Sequence, residues 1–144
     1  MNILVTGGAG FIGSHLTEEL LSQGHQVVVV DDLSSGSMRN LPNDSKLVFV
    51  EKDILACSPD DLPKPIDAIA HLAAIPSVAS SWEQPLKTHR SNLSATVSVL
   101  ELCMGMNIPR VVFASSAAVY GDIDRIPISE TSPTQPISPY GLQK

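Results

Sequence analysis

Tyr140 and Lys144 stand four residues apart, so on a helix they share a face. Ser138-Pro139 directly before them reads as an N-cap followed by a first helical residue, which supports that helix. An ammonium beside a phenol stabilises the phenolate and brings its pKa down from about 10 toward working pH. A tyrosine tuned in this way can take the proton of a substrate hydroxyl while hydride leaves the same carbon. Ser116, 24 residues before Tyr140, offers a hydroxyl to hold that oxygen, with Ser115 the lesser candidate. Tyr-x-x-x-Lys alone equally describes an exposed helix pair, and only the accompanying motifs make it specific.

The hydride acceptor is read from Thr6-Gly7-Gly8-Ala9-Gly10-Phe11-Ile12-Gly13, which follows an apolar strand and opens a helix. It satisfies Gly8-x-Gly10-x-x-Gly13 and also the Gly7-x-x-Gly10-x-x-Gly13 variant. Glycines let the backbone approach a pyrophosphate and let helix touch strand, while the helix N-terminus supplies amide donors. Asp31 ends the second strand 18 residues past Gly13. A carboxylate there accepts both adenosine ribose hydroxyls and repels a 2′-phosphate, which selects NAD over NADP. Asp32 reads as its bystander. At the end of the third strand, Asp53 is placed to take an adenine amine and Ile54 to wall the ring.

Elements that position these residues are legible from hydrophobic period. Strands are expected at 2–6, 26–31, 46–50, 66–71 and 110–115, alternating with helices, the pattern of βαβ units and a parallel sheet. A first helix over 11–23 carries Phe11, Ile12, Leu16 and Leu20 on one face and ends at Gly24. A single long helix over 85–106, opened by Pro85, carries Leu93, Val97, Leu100 and Met104 at helical spacing. Right-handed crossovers then give a doubly wound sheet with its ligands beyond the carboxyl ends of the strands. Residues 122–139, with four prolines, read as one long surface loop before a final short helix.

A length of 144 residues with 43% hydrophobic content is enough for one domain with a real core. A net charge of −6 with only nine Lys and Arg excludes a basic nucleic-acid footprint. No apolar run reaches the roughly 20 residues of a membrane span, and Ile3-Leu4-Val5 is too short for a signal peptide core. Cys57 and Cys103 form no CxxC pair, and none of His15, His25, His71 and His89 has ligand spacing with Cys, Asp or Glu. These features predict a cytoplasmic protein without a metal.

Together the segments resemble the extended short-chain dehydrogenases/reductases, and within them the UDP-galactose 4-epimerase branch. The resemblance runs through Val5 to His15, Asp31 to Gly36, Asp53-Ile54, His71-Leu72-Ala73-Ala74, Ser115 to Gly121 and Tyr140 to Lys144. It implies a Rossmann doubly wound parallel sheet over 1–144, truncated before the last strand and a C-terminal substrate domain. It implies a turn of Gly7, Gly10 and Gly13, and backbone donors from Phe11 and Ile12 to the pyrophosphate. Asp31, Asp32, Ser34, Ser35 and Gly36 would hold the adenosine ribose, with Asp32 standing where the family often has Asn. Leu72, Ala73 and Ala74 would line the cofactor and Asn92 would lie on its nicotinamide side. Ser116, Tyr140 and Lys144 would form the catalytic triad, the last two also against the cofactor.

The reaction so implied is oxidation of the C4 hydroxyl of a nucleotide sugar, a UDP-hexose, rotation of the 4-keto intermediate and hydride return to its other face. The related 4,6-dehydratases usually carry an Asp-Glu pair where this chain has Ala117-Ala118, which disfavours dehydration. A reductase, a decarboxylase or a non-catalytic NAD-binding module remain open alternatives. The resemblance also implies a homodimer, with the 85–106 helix a candidate contact, and little activity and loosely held final residues for a chain ending at Lys144.

Overall fold

A strand such as Gln26-Val-Val-Val-Val-Asp31 is apolar on both faces and is stable only with both covered. In the computed structural model, which describes residues 1–124 and 126–144, five such strands form one parallel sheet: β1 Asn2–Thr6, β2 Gln26–Asp31, β3 Leu47–Glu51, β4 Ala68–His71 and β5 Val111–Phe113. Their order is β3-β2-β1-β4-β5. Registers run Asn2 opposite Gln26, Ile3 opposite Ala68, Val27 opposite Leu47 and Ile69 opposite Val111.

Alternate side chains feed two cores, as the strand period requires. Leu4, Val28, Val30 and Ile69 join Ala95, Val99, Leu102 and Cys103 of helix α4 (Ala95–Met106) on one face. Ile3, Val5, Val27, Val29 and Ala70 join Leu21 of helix α1 (Phe11–Ser22) on the other. The doubly wound arrangement is thus present. Gly24, at φ +84°, closes α1 as expected, its amide donating to the Leu21 carbonyl at 2.9 Å.

Several expectations are corrected. The fourth and fifth strands are shorter than 66–71 and 110–115, because Ile66 turns into the core before β4 and the chain leaves the ladder after Phe113 to form a capped turn at Ser116. Of the expected face of α1, Leu16 and Leu20 pack partly buried against the core, whereas Phe11 and Ile12 are 81% and 67% exposed and the fully buried residues are Gly13, Ser14, Thr17 and Leu21. Small residues face inward there because the helix start lies directly on the glycine turn. On α4 the row Val97, Leu100, Met104 is exposed, and Ala95, Val99, Leu102 and Cys103 are buried. The expected helix over 85–106 runs unbroken with those bounds, and what the sequence did not signal is its change of period: α3 Pro85–His89 passes through a π-helical turn Arg90–Ser94 into α4. A further helix, α2 Val78–Glu83, was not legible in the sequence.

The chain divides into two compact units, residues 1–73 with 95–113, and residues 74–94 with 114–144. The first holds the sheet, α1 and α4. The second holds α2, α3, the π-helical turn, a 3-10 turn Ala117–Tyr120 and a final helix α5 Pro139–Leu142. Among the described residues, 122–138 contain no helix or strand, and no helix is long and apolar enough to cross a membrane.

Thr17 is fully buried and its hydroxyl is the buried side-chain oxygen without a partner among the described residues. An unpaired buried hydroxyl opposes folding by about 1–3 kcal/mol. Thr17→Val keeps the shape and removes that cost, so thermal unfolding should move upward by a few degrees, roughly 1 kcal/mol of added stability. A lowered midpoint would show that the hydroxyl is satisfied after all.

Candidate functional site

In the first unit, the glycine turn joins β1 to α1. Gly13 packs so closely on the turn that a Cβ there would overlap the Gly7 carbonyl oxygen and lie 2.7 Å from the Gly8 Cα. No side chain fits, and the start of α1 is therefore held against the strand end, the approach a pyrophosphate needs. Phe11 and Ile12 stand at the first positions of α1 with their side chains in solvent.

Asp31 is buried and works twice. One carboxylate oxygen accepts from the Ala9 amide at 2.9 Å, and the other accepts from the Leu33 amide at 2.8 Å. Leu33 sits at φ +57°, a conformation an L-residue pays strain to adopt. The carboxylate fixes both the glycine turn and the loop after β2. That loop grips Ala9 again, for the Ala9 carbonyl accepts from the Ser37 amide at 3.1 Å and from Asn40 Nδ2 at 2.8 Å. Asp32 and Ser34 are exposed and joined by the Ser34 amide donating to Asp32 at 2.9 Å, Ser35 is exposed, and Gly36 lies half-buried against Ala9. Asn40 was missed by sequence reasoning, since an asparagine nine residues past a strand carries no motif.

Asp53 caps a short turn, accepting from the Leu55 amide at 2.9 Å. Ile54 opens that turn. Its side chain is 5% exposed and belongs to the core beside Val28 and Val30, because an aliphatic group at a sheet edge gains more by burial than by facing solvent. Leu72 and Ala73 follow β4 and are half-buried. The residues present fit a dinucleotide: the turn is closed to any Cβ, and a buried carboxylate terminates the second strand.

The second unit carries Ala74, Asn92, Ser116, Tyr140 and Lys144. Ser116 caps the Ala117–Tyr120 turn, accepting from the Ala118 amide at 3.2 Å. Ser138 caps α5 as expected, accepting from the Gly141 amide at 3.0 Å. A Cβ at Gly141 would lie 2.5 Å from the Ala118 carbonyl oxygen, so the Ser116 turn and the Tyr140 helix touch backbone to backbone. Ser115 adds to that seam by donating to the Lys144 carbonyl at 3.1 Å. The turn capped by Ser116 therefore adjoins the short helix that carries Tyr140.

Buried polar groups fix α5. The Tyr140 amide donates to Ser81 Oγ of α2 at 3.0 Å, and Gln143 Nε2 donates to Thr88 Oγ1 of α3 at 3.3 Å. Asn92, 2% exposed in the π-helical turn, accepts from the Ile75 amide at 2.8 Å and donates to Gln143 Oε1 at 2.9 Å. These bonds tie Tyr140 and Gln143 to α2 and α3. Asn92 is thus a clamp within this lattice. Asn92→Ala should lower the unfolding free energy by about 2 kcal/mol, because it orphans the part-buried Ile75 amide and the buried Gln143 carbonyl oxygen; a denaturant titration matching wild type would refute the clamp. Tyr140 is 8% exposed, and burial holds the Lys144 ammonium below the ordinary lysine range. A poorly solvated cation projects its field strongly, which suits it to stabilise a neighbouring phenolate.

Residues 3–144 match the model of the family described as NAD dependent epimerase/dehydratase. The chain is 40% identical over 147 residues to the UDP-glucose 4-epimerase of Lactobacillus helveticus, covering all of this chain and 44% of that protein. Among solved structures it is similar to a UDP-N-acetylglucosamine 4-epimerase from Methanobrevibacter ruminantium M1 in complex with UDP-N-acetylmuramic acid, at 38% identity and TM-score 0.92, covering 99% of this chain and 46% of that one. It is also similar to a UDP-glucose-4-epimerase from Stenotrophomonas maltophila with bound NAD and formylated UDP-arabinopyranose, at 38% identity and TM-score 0.88, covering 100% and 45%. The chain spans less than half the length of these relatives.

Proposed function

Because the chain belongs to the NAD dependent epimerase/dehydratase family, we propose that it is the cofactor-binding and proton-transferring portion of an enzyme that inverts C4 of a UDP-hexose through a 4-keto intermediate. The observation that supports this reading is the backbone contact of Gly141 with Ala118, which joins the turn capped by Ser116 to the helix of Tyr140. The cofactor is NAD, and when bound it accepts hydride from the sugar and returns it.

The remaining chemistry belongs to the chain's own residues. Tyr140 takes the proton of the C4 hydroxyl as hydride departs and gives it back after the keto sugar has turned. The Lys144 ammonium stabilises the phenolate, and Ser116 hydrogen-bonds the C4 oxygen in both oxidation states. Gly7, Gly10 and Gly13, with the amides of Phe11 and Ile12, hold the pyrophosphate. Asp31 holds the adenosine ribose, with Asp32, Ser34, Ser35 and Gly36 beside it, and Asp53 takes the adenine amine. Leu72, Ala73 and Ala74 line the cofactor, and Asn92 supports its nicotinamide side. The family name also covers dehydratases. Elimination of water needs an acid and a base beside the sugar, and the methyl side chains of Ala117 and Ala118 supply neither.

Titration calorimetry with NAD and NADP, followed by a UDP-glucose to UDP-galactose assay, tests the reading. Retained NAD with interconversion in the complete enzyme supports it; NADP preference or cofactor release at each turnover favours a reductase, and binding without turnover a non-catalytic module. For the 144-residue chain alone we expect NAD binding with little or no turnover. We further place the enzyme in the cytoplasm, in keeping with two free cysteines, and as a homodimer through the exposed row Val97, Leu100 and Met104 of α4. Light scattering that returns the monomer mass would remove the dimer.

A further inference from the structure

His71 ends β4, is 1% exposed, and takes no part in the chemistry above. Its Nδ1 lies 2.6 Å from Thr6 Oγ1, its Nε2 lies 3.1 Å from Thr96 Oγ1, and its ring stacks on Phe113 with centroids 5.8 Å apart. The Thr6 hydroxyl already accepts from the Leu72 and Ala73 amides, each at 3.2 Å, the Leu72 amide being shared with the Thr6 carbonyl at 3.1 Å. A hydroxyl has one proton and two lone pairs. With both lone pairs engaged, the Thr6 proton goes to His71 Nδ1, which must be the unprotonated nitrogen, and the imidazole proton sits on Nε2 toward Thr96.

This chain of groups ends on the glycine turn. Thr6 directly precedes Gly7, which stands at φ +70° and so close to β4 that a Cβ there would lie 2.7 Å from the Ala73 nitrogen. The separation of Ala73 from Gly7 is thus set by the Thr6 hydroxyl, and the hydroxyl's direction by the histidine. We propose that His71, held as the neutral Nε2–H tautomer between Thr6 and Thr96, is a positioning residue that fixes the shape of the pyrophosphate turn and so the affinity for NAD. The inference rests on NAD occupying that turn.

Two measurements test it. Two-bond proton–nitrogen spectra of the imidazoles, with His71 assigned through its loss in His71→Phe, should show Nδ1 bare and Nε2 protonated at neutral pH with or without NAD. Calorimetry should show Thr6→Val binding NAD about tenfold more weakly, because the Ala73 amide and Nδ1 lose their partner, and Thr6→Ser within about threefold of wild type. A purely structural role would lower the melting temperature of Thr6→Val and leave NAD affinity of the folded fraction unchanged. An Nδ1–H tautomer or an imidazolium, or Thr6→Val affinity within twofold of wild type, overturns the proposal while leaving the NAD site intact. Wild-type protein that binds no NAD overturns the reading of the turn as well. Should Thr6→Val fail to fold, the wild-type tautomer and the Thr6→Ser affinity still decide.

Discussion

Tyr140→Phe is expected to cut UDP-hexose interconversion in the complete enzyme by about 10²–10⁴-fold, the usual contribution of one positioned proton-transfer group. NAD affinity should stay within about tenfold, since only one contact to the cofactor is lost. The substitution removes a single oxygen from a side chain that is 8% exposed, and the α5 backbone keeps its bonds to Ser81 and within the Ser138 cap. The fold should therefore tolerate it, and a melting temperature near wild type separates loss of chemistry from loss of structure. Lys144→Met should impair turnover too, and its defect should shrink as pH rises, because a higher pH forms the phenolate without help from an ammonium. Full turnover by Tyr140→Phe would remove tyrosine from the proton path.

Gly13→Ala is the second large effect. One added methyl would overlap the Gly7 carbonyl oxygen, and a backbone atom cannot rotate away as a flexible side chain can. The turn must open, which costs about 1–3 kcal/mol of stability and moves the amides at the start of α1 off the pyrophosphate, weakening NAD binding by more than about 100-fold. Gly24→Ala is the control. It forces an L-residue to φ +84° with nothing within 4 Å of the new methyl, so it should cost about 1 kcal/mol and leave NAD affinity alone. Calorimetry on both variants checks the contrast; equal NAD binding by Gly13→Ala and wild type would mean that the dinucleotide does not use this turn.

The parts of the fold that were legible in advance are those whose signal is local. β1 and β2 lie at the expected residues, because unbroken apolar runs bounded by glycine and aspartate have one reading. The same holds for the glycine turn and the Ser138 cap, whereas α5 ends at Leu142 and leaves Lys144 beyond the helix that carries Tyr140. Helix faces were another matter. On α4 the rows Val97, Leu100, Met104 and Ala95, Val99, Leu102, Cys103 both follow a helical period, and a helix apolar on most sides gives periodicity no unique answer. What decides is which row fits under the sheet, and small Ala95 allows closer approach there. The lattice of Ser81, Thr88, Asn92 and Gln143 was illegible for a different reason: its bonds join residues 51 to 59 positions apart, and each residue alone reads as ordinary surface polarity. The π-helical turn has no sequence cue at all, yet it is the segment that carries Asn92.

Strand order has a consequence for how the molecule is made. β1, made before the four strands that join it, is the central strand of the sheet, with β2 on one side and β4 on the other. Its second neighbour does not exist until residue 68 has been synthesised, where Ala68 pairs with Ile3. Until then the nascent chain displays a short apolar strand with one unpaired edge, a template for pairing with other chains. Every strand pairing here is parallel and needs a crossover, so loop closure precedes contact and folding should be slow for a chain of this size. Translation that stalls between β2 and β4 should therefore yield insoluble product, whereas a stall after β5 should not.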